Sequence, residues 1–156
     1  FATGYIRTTL ALIQTERGEY AEAEAQWRAA LAVFEKHSPA DHPHRAAAEY
    51  FLGVVLLATH RPQEAEAYFR AALSRTQRAR ENEWRVARVA SGLGEALYAQ
   101  GRAREAESYL VDSYRTISAS PYADVRTKEV ARDRVMRFYT AHGQPADRLL
   151  RVDADP

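Results

Sequence analysis

Apolar residues recur along this chain at spacings of three and four, the period of a single helical face. Residues 3–16 put Ile6, Leu10 and Ile13 on such a face. A second helix, about 19–36, buries Tyr20, Ala23, Trp27, Ala30, Leu31 and Phe34. A third, about 44–59, carries Tyr50, Leu52, Val54, Val55, Leu56 and Leu57, and a fourth, about 62–80, carries Ala65, Tyr68, Phe69, Ala72 and Leu73. Three more are expected at about 84–100, 103–117 and 124–141, the last with Val125, Val130, Val135, Phe138 and Tyr139. A short eighth helix opens at Gln144-Pro145, and residues 153–156 fray. Pro39, Pro43 and Pro121 interrupt the chain between helices, whereas Pro62 suits a first helical turn. No stretch alternates as a strand does.

The helices are written in copies. Gly18-Glu-Tyr-Ala-Glu-Ala-Glu-Ala-Gln-Trp-Arg-Ala-Ala-Leu31 returns as His60-Arg-Pro-Gln-Glu-Ala-Glu-Ala-Tyr-Phe-Arg-Ala-Ala-Leu73. It returns again as Gly101-Arg-Ala-Arg-Glu-Ala-Glu-Ser-Tyr-Leu110 and, degraded, as Gly143-Gln-Pro-Ala-Asp-Arg-Leu149. The anchors 18, 60, 101 and 143 lie 42, 41 and 42 residues apart. A fixed period in that range predicts an array of stacked helical units. The expected repeats are about 3–38, 44–80, 84–118 and a terminal one at about 124–152. His60 stands where the other copies have Gly, so it is expected to take the left-handed conformation of a turn. The first residue, Phe1, suggests a fragment of a longer protein.

Composition narrows the function classes. The 156 residues carry a net charge of +1 with acids and bases interleaved, and no basic footprint for nucleic acid or an anionic membrane stands out. There is no Cys, hence no disulfide and no thiolate nucleophile or ligand. No apolar run approaches 18 residues, and a cytoplasmic location is the expectation.

Helix A of each copy has Leu-Gly followed three residues later by an apolar residue: Leu52-Gly53 with Leu56 and Leu93-Gly94 with Leu97, with Leu10-Ala11 a weaker version. Helix B pairs a small residue with a bulky one four later, as Ala23 with Trp27, Ala65 with Phe69 and Ala106 with Leu110. Together with the Asp41-His42-Pro43 joint, these residues resemble the tetratricopeptide repeat family, in particular its roughly 42-residue branch typified by kinesin light chain and bacterial repeat proteins. The resemblance implies an all-α fold, a right-handed superhelical solenoid of antiparallel helix pairs. The small residues would let paired helices approach closely. Met136 and Arg148 occupy the small positions of the fourth copy and imply a looser terminal cap. The first helix has no polar cover, so Phe1, Tyr5 and Ile6 would face a missing repeat or a second copy, a route to homo-oligomers. The last repeat is also similar to those closing bacterial arrays that follow serine/threonine kinase domains, so a docking or sensor region of a signalling protein is the alternative role.

In the family the A helices line the concave side. The helical face left after packing against B holds Tyr5, Thr8, Leu12 and Thr15, then Ala47, Tyr50, Val54 and Leu57. It continues with Arg88, Ser91, Glu95 and Tyr98, and with Asp133, Arg137 and Thr140. Of these, Tyr5, Leu12, Tyr50, Val54, Leu57, Arg88, Glu95, Tyr98 and Arg137 are the candidate groove for a protein or peptide partner, apolar in the middle and charged towards the C-terminus. The alternative for Tyr50, Val54, Leu57 and Tyr98 is packing between adjacent repeats. The Lys and Asn of the family's carboxylate clamp are absent.

No catalytic constellation emerges, and neither an enzyme nor a cofactor is expected. His42 and His44 flank Pro43 but lack a further ligand for a metal. Glu22, Glu24, Glu64, Glu66, Glu105 and Glu107 resemble carboxylate pairs, yet they recur with the repeat and are expected to face solvent at helix starts.

Overall fold

In a computed structural model of the chain, residues 2–40 and 42–143 are described. They form seven α-helices and no strand: α1 (Ala2–Glu16), α2 (Tyr20–His37), α3 (Pro43–Ala58), α4 (Pro62–Arg78), α5 (Glu83–Ala99), α6 (Ala103–Ala119) and α7 (Val125–Ala141). The eighth helix, Phe1, Asp41 and Arg148 lie outside the described residues. The chain divides into two compact units, Phe1–Glu81 and Asn82–Pro156. In the first, α1 packs on α2, α2 on α3 and α3 on α4; in the second, α5 packs on α6 and α6 on α7.

Helices α1, α3 and α5 end in the same way. The amides of Gly18 and Glu19 donate to the carbonyls of Thr15 and Gln14, and His60 with Arg61, and Gly101 with Arg102, repeat both bonds. This is the double bond of a Schellman terminus, which requires a left-handed residue after the helix. Gly18, Gly101 and Gly143 supply it at φ 74°, 77° and 63°, and His60 adopts φ 59° as its place in the copy implies. The join after α4 uses the same device without glycine: Arg80 sits at φ 51° while Glu81 donates to Thr76.

The A-to-B turns are all three residues long, 17–19, 59–61 and 100–102. The B-to-A joins are 38–42, 79–82 and 120–124, so the one short interval of the repeat comes from the join after α4. Pro43 does not simply break the chain. It opens α3, with His42 Nδ1 accepting from the His44 amide at 3.3 Å as the cap.

Close approach within each hairpin is set by glycine against a large side chain. A Cβ on Gly53 would lie 2.8 Å from the Phe69 ring, and one on Gly94 would lie 2.9 Å from Leu110. Gly4 does the same against Phe34 at 2.9 Å, a contact outside the repeated motif. Trp27, Phe34, Leu52, Leu56 and Phe69 are fully buried in the first unit, as are Leu93, Leu97, Leu110 and Ile117 in the second. Several expected core positions are open instead. Val125 is 72% exposed because it stands in the first turn of α7, and Val130 also lies on an open face. Ile6, Leu10 and Ile13 keep 69%, 41% and 43% of their surface.

Candidate functional site

In the first unit the candidate face runs over α1 and α3. Tyr5 and Leu12 are exposed, and Val54 and Leu57 are half-buried. Tyr50 is only 6% exposed, with its ring edge-on to Phe51 at 5.1 Å and to Phe69 at 5.8 Å. Most of it is therefore packing surface. Tyr5 leans edge-on against His44 at 4.6 Å and Phe34 at 5.7 Å, which fixes the ring beside the start of α3. Thr15 is tied inward: it donates to the Ala11 carbonyl and accepts from Trp27 Nε1 at 3.2 Å. Accessible here are the apolar Leu12, Val54, Leu57 and part of Tyr5, together with the polar Thr8.

In the second unit the face on α5 and α7 is polar. Arg137 donates to Glu95 Oε1 at 3.0 Å, joining two candidate residues 42 positions apart. One turn earlier, Arg134 is buried and donates to Ser91 Oγ at 3.2 Å. Arg134 was not among the candidates, because nothing in its sequence neighbours distinguishes it from the exposed arginines of α7. Tyr98 packs edge-on against Phe138 at 5.3 Å and beside His142 at 5.8 Å. Arg88 lies over the Trp84 ring at 5.8 Å, held by an aromatic face. Val130, Asp133, Met136 and Arg137 line an open depression of about 360 Å³ on α7.

Glu22, Glu64, Glu105 and Glu107 are exposed as expected, but two of the six glutamates depart from that expectation. Glu24 and Glu66 are half-buried rather than solvent-facing. Glu24 accepts from Arg28 at 2.9 Å and from Arg61 at 2.7 Å, and Arg61 also grips Glu64. Burial by itself would raise the Glu24 pKa, but the bonds from the two guanidiniums outweigh it and hold the carboxyl below its usual range. Glu66 pairs with Arg70 at 2.7 Å. Glu49 on α3 is buried against Arg75 at 2.9 Å, and burial raises its pKa despite that partner. These are structural ion pairs spread over the repeats. Among the described residues no three His, Asp or Glu side chains gather as a metal site, and no helix is long and apolar enough to cross a membrane.

Antiparallel helix pairs, small residues at the crossing and left-handed helix ends at a fixed interval define a helical-hairpin repeat protein. The tetratricopeptide repeat model matches residues 2–78 and 44–117, and the chain belongs to that family. No curated protein matches the sequence. Among solved structures, BtubC (BKLC) from P. vanneervenii matches with a TM-score of 0.79 at 20% identity, over 97% of this chain and 63% of that one. The chain thus spans less than two thirds of BtubC. A putative kinesin light chain of Podosopora anserina with TPR-like repeats matches at TM-score 0.70 and 21% identity, over 95% of this chain and 72% of its own. A TPR-like protein from Chlorobium tepidum matches at TM-score 0.70 and 23% identity, over 87% and 94%. Tetratricopeptide repeats generally serve as non-catalytic scaffolds for protein–protein interaction, and this chain has the corresponding all-α repeat fold.

Proposed function

We propose that the chain binds a peptide segment of a protein partner on the A-helix faces. The observation that supports this is the accessible apolar surface of α1 and α3: Tyr5 and Leu12 are exposed and Val54 and Leu57 half-exposed. Exposed apolar surface is a common feature of interaction sites. It suits an apolar anchor side chain of the bound segment.

The test is selection of binding peptides from a displayed random library, followed by anisotropy titration of the best binder. Leu12→Glu and Leu57→Asp are each expected to weaken binding by roughly tenfold or more, since a charge facing a buried anchor costs at least about 1.4 kcal/mol. Unchanged affinity in both folded variants rejects the assignment.

A further inference from the structure

Three helices of the first unit meet in a cluster of rings at the start of α3. Tyr5 of α1 stands edge-on to His44 of α3 at 4.6 Å and to Phe34 of α2 at 5.7 Å. Phe34 stacks on His44 at 5.6 Å and on His42 at 6.3 Å, and the two imidazoles stack on each other at 5.3 Å. The order His-Pro-His brings the pair together. Pro43 takes the first helical position and leaves His42 extended at φ −65° and ψ 130°, so that its Nδ1 meets the His44 amide. The corresponding residues one and two repeats on are Glu83 with Arg85 and Val125 with Thr127. An imidazole pair is therefore no requirement of the helical hairpin.

The charges around His44 disfavour a proton on it. Of the helices packed on α3, α1 contributes the Tyr5 ring and α2 the Phe34 ring. Glu35 of α2 meets Arg45 at 3.8 Å, and Arg75 of α4 is engaged by Glu49 and by the Ala40 carbonyl. Among the described residues no carboxylate pairs with His44, and burial followed by the neighbouring His42 favours its neutral ring. His42 adds a second conflict. It accepts through Nδ1, and a proton there would set one N–H against another, while two imidazolium rings at 5.3 Å would repel.

We infer that His42 and His44 form a proton switch on the A-helix face, in which the neutral pair holds the Tyr5 ring beside α3 and proton uptake parts Tyr5 from His44, weakening a peptide bound on α1 and α3. The weakening rests on the peptide-binding reading above, whereas the parting of the two rings does not. Tyr5 is 37% exposed on that face. A ring already fixed offers contact area without an ordering cost, and a released ring must be ordered again when the peptide binds.

The test starts with the full chain alone. Nuclear Overhauser contacts between the Tyr5 and His44 rings are followed from pH 8 to 5 beside the titration of the His44 imidazole. They are expected to vanish with the midpoint of that titration while helical circular dichroism stays unchanged. In His44→Phe, which keeps a ring against Phe34 but takes no proton, Tyr5 should stay in contact with residue 44 throughout. Contacts that persist once His44 is charged, that vanish in His44→Phe as well, or that are lost only as the helices melt overturn the switch. Anisotropy with a selected peptide lacking His, Asp and Glu then reads the consequence. Affinity should fall by roughly threefold or more between pH 7.5 and 5 in the parent, and stay level in His44→Phe. A level profile in the parent overturns the regulation. Failure to find any binding peptide at pH 7.5 rejects the peptide-binding reading instead, and the ring contacts still decide the switch.

Discussion

Gly53 and Gly101 are glycine for different reasons, and substitution separates them. Gly53 has ordinary helical geometry but no room, with the Phe69 ring where a Cβ would stand. Gly53→Ala should cost about 2 kcal/mol by overpacking, and Phe69→Leu in the same chain should recover part of it. Gly101 has open space around it but φ 77°, so Gly101→Ala should cost about 1 kcal/mol with no neighbour able to compensate. Urea midpoints read both. The converse applies at His60 and Arg80, which hold φ 59° and 51° without glycine. His60→Gly and Arg80→Gly should each gain up to about 1 kcal/mol, again read from urea midpoints. His60 was legible because the other copies have Gly at its place. Arg80 was not, since arginine carries no preference for that conformation and only the hydrogen bonds of Glu81 and Arg80 reveal it. Gly4 was missed because it lies outside the repeated Leu-Gly pair.

At the scale of the helix, the start of α3 couples packing to protonation. His44 lies between Tyr5 and Phe34, and burial first, then the neighbouring His42, lowers its pKa. A base whose folded pKa lies below its unfolded value of about 6.5 binds its proton more readily when unfolded. Its contribution to stability is therefore complete above about pH 6.5 and is lost as pH falls through the lower folded value. Denaturation midpoints between pH 7.5 and 5 should fall on the acid side, and His44→Phe should flatten that part of the profile. Helix boundaries were largely readable, because apolar spacing and the copied turns are local signals. The ion pairs were less so. Glu24 and Arg28 are four apart and visible, but Arg61 lies 37 positions from Glu24 and Arg75 lies 26 from Glu49. Arg75 also donates to the Ala40 carbonyl, a bond that no side-chain pattern announces.

For the whole molecule, the repeat was the legible quantity, since three copies in register fix the family and the all-α fold. The face available to a partner was harder to read. Helical phase alone cannot separate Tyr50, which packs on Phe69, from Leu12, which remains open. Each unit has its own set of buried side chains, Trp27, Phe34, Leu52 and Phe69 in the first and Leu93, Leu97, Leu110 and Ile117 in the second. Residues 1–81 expressed alone should keep a helical circular dichroism spectrum and melt cooperatively, as nearest-neighbour stability in repeat proteins implies. A spectrum of unfolded chain would show that the first unit cannot sustain its own core.

The unequal lengths of the two kinds of connection decide where foreign sequence can be spliced into this chain. One residue added to 17–19, 59–61 or 100–102 would disrupt the paired amide bonds and the left-handed residue that set the turn, and would displace the Ala and aromatic positions of the following B helix from their partner. The joins at 38–42, 79–82 and 120–124 already differ by one residue while the same hairpins form on either side of them. A tag or reporter loop intended to leave the hairpins intact belongs in those joins.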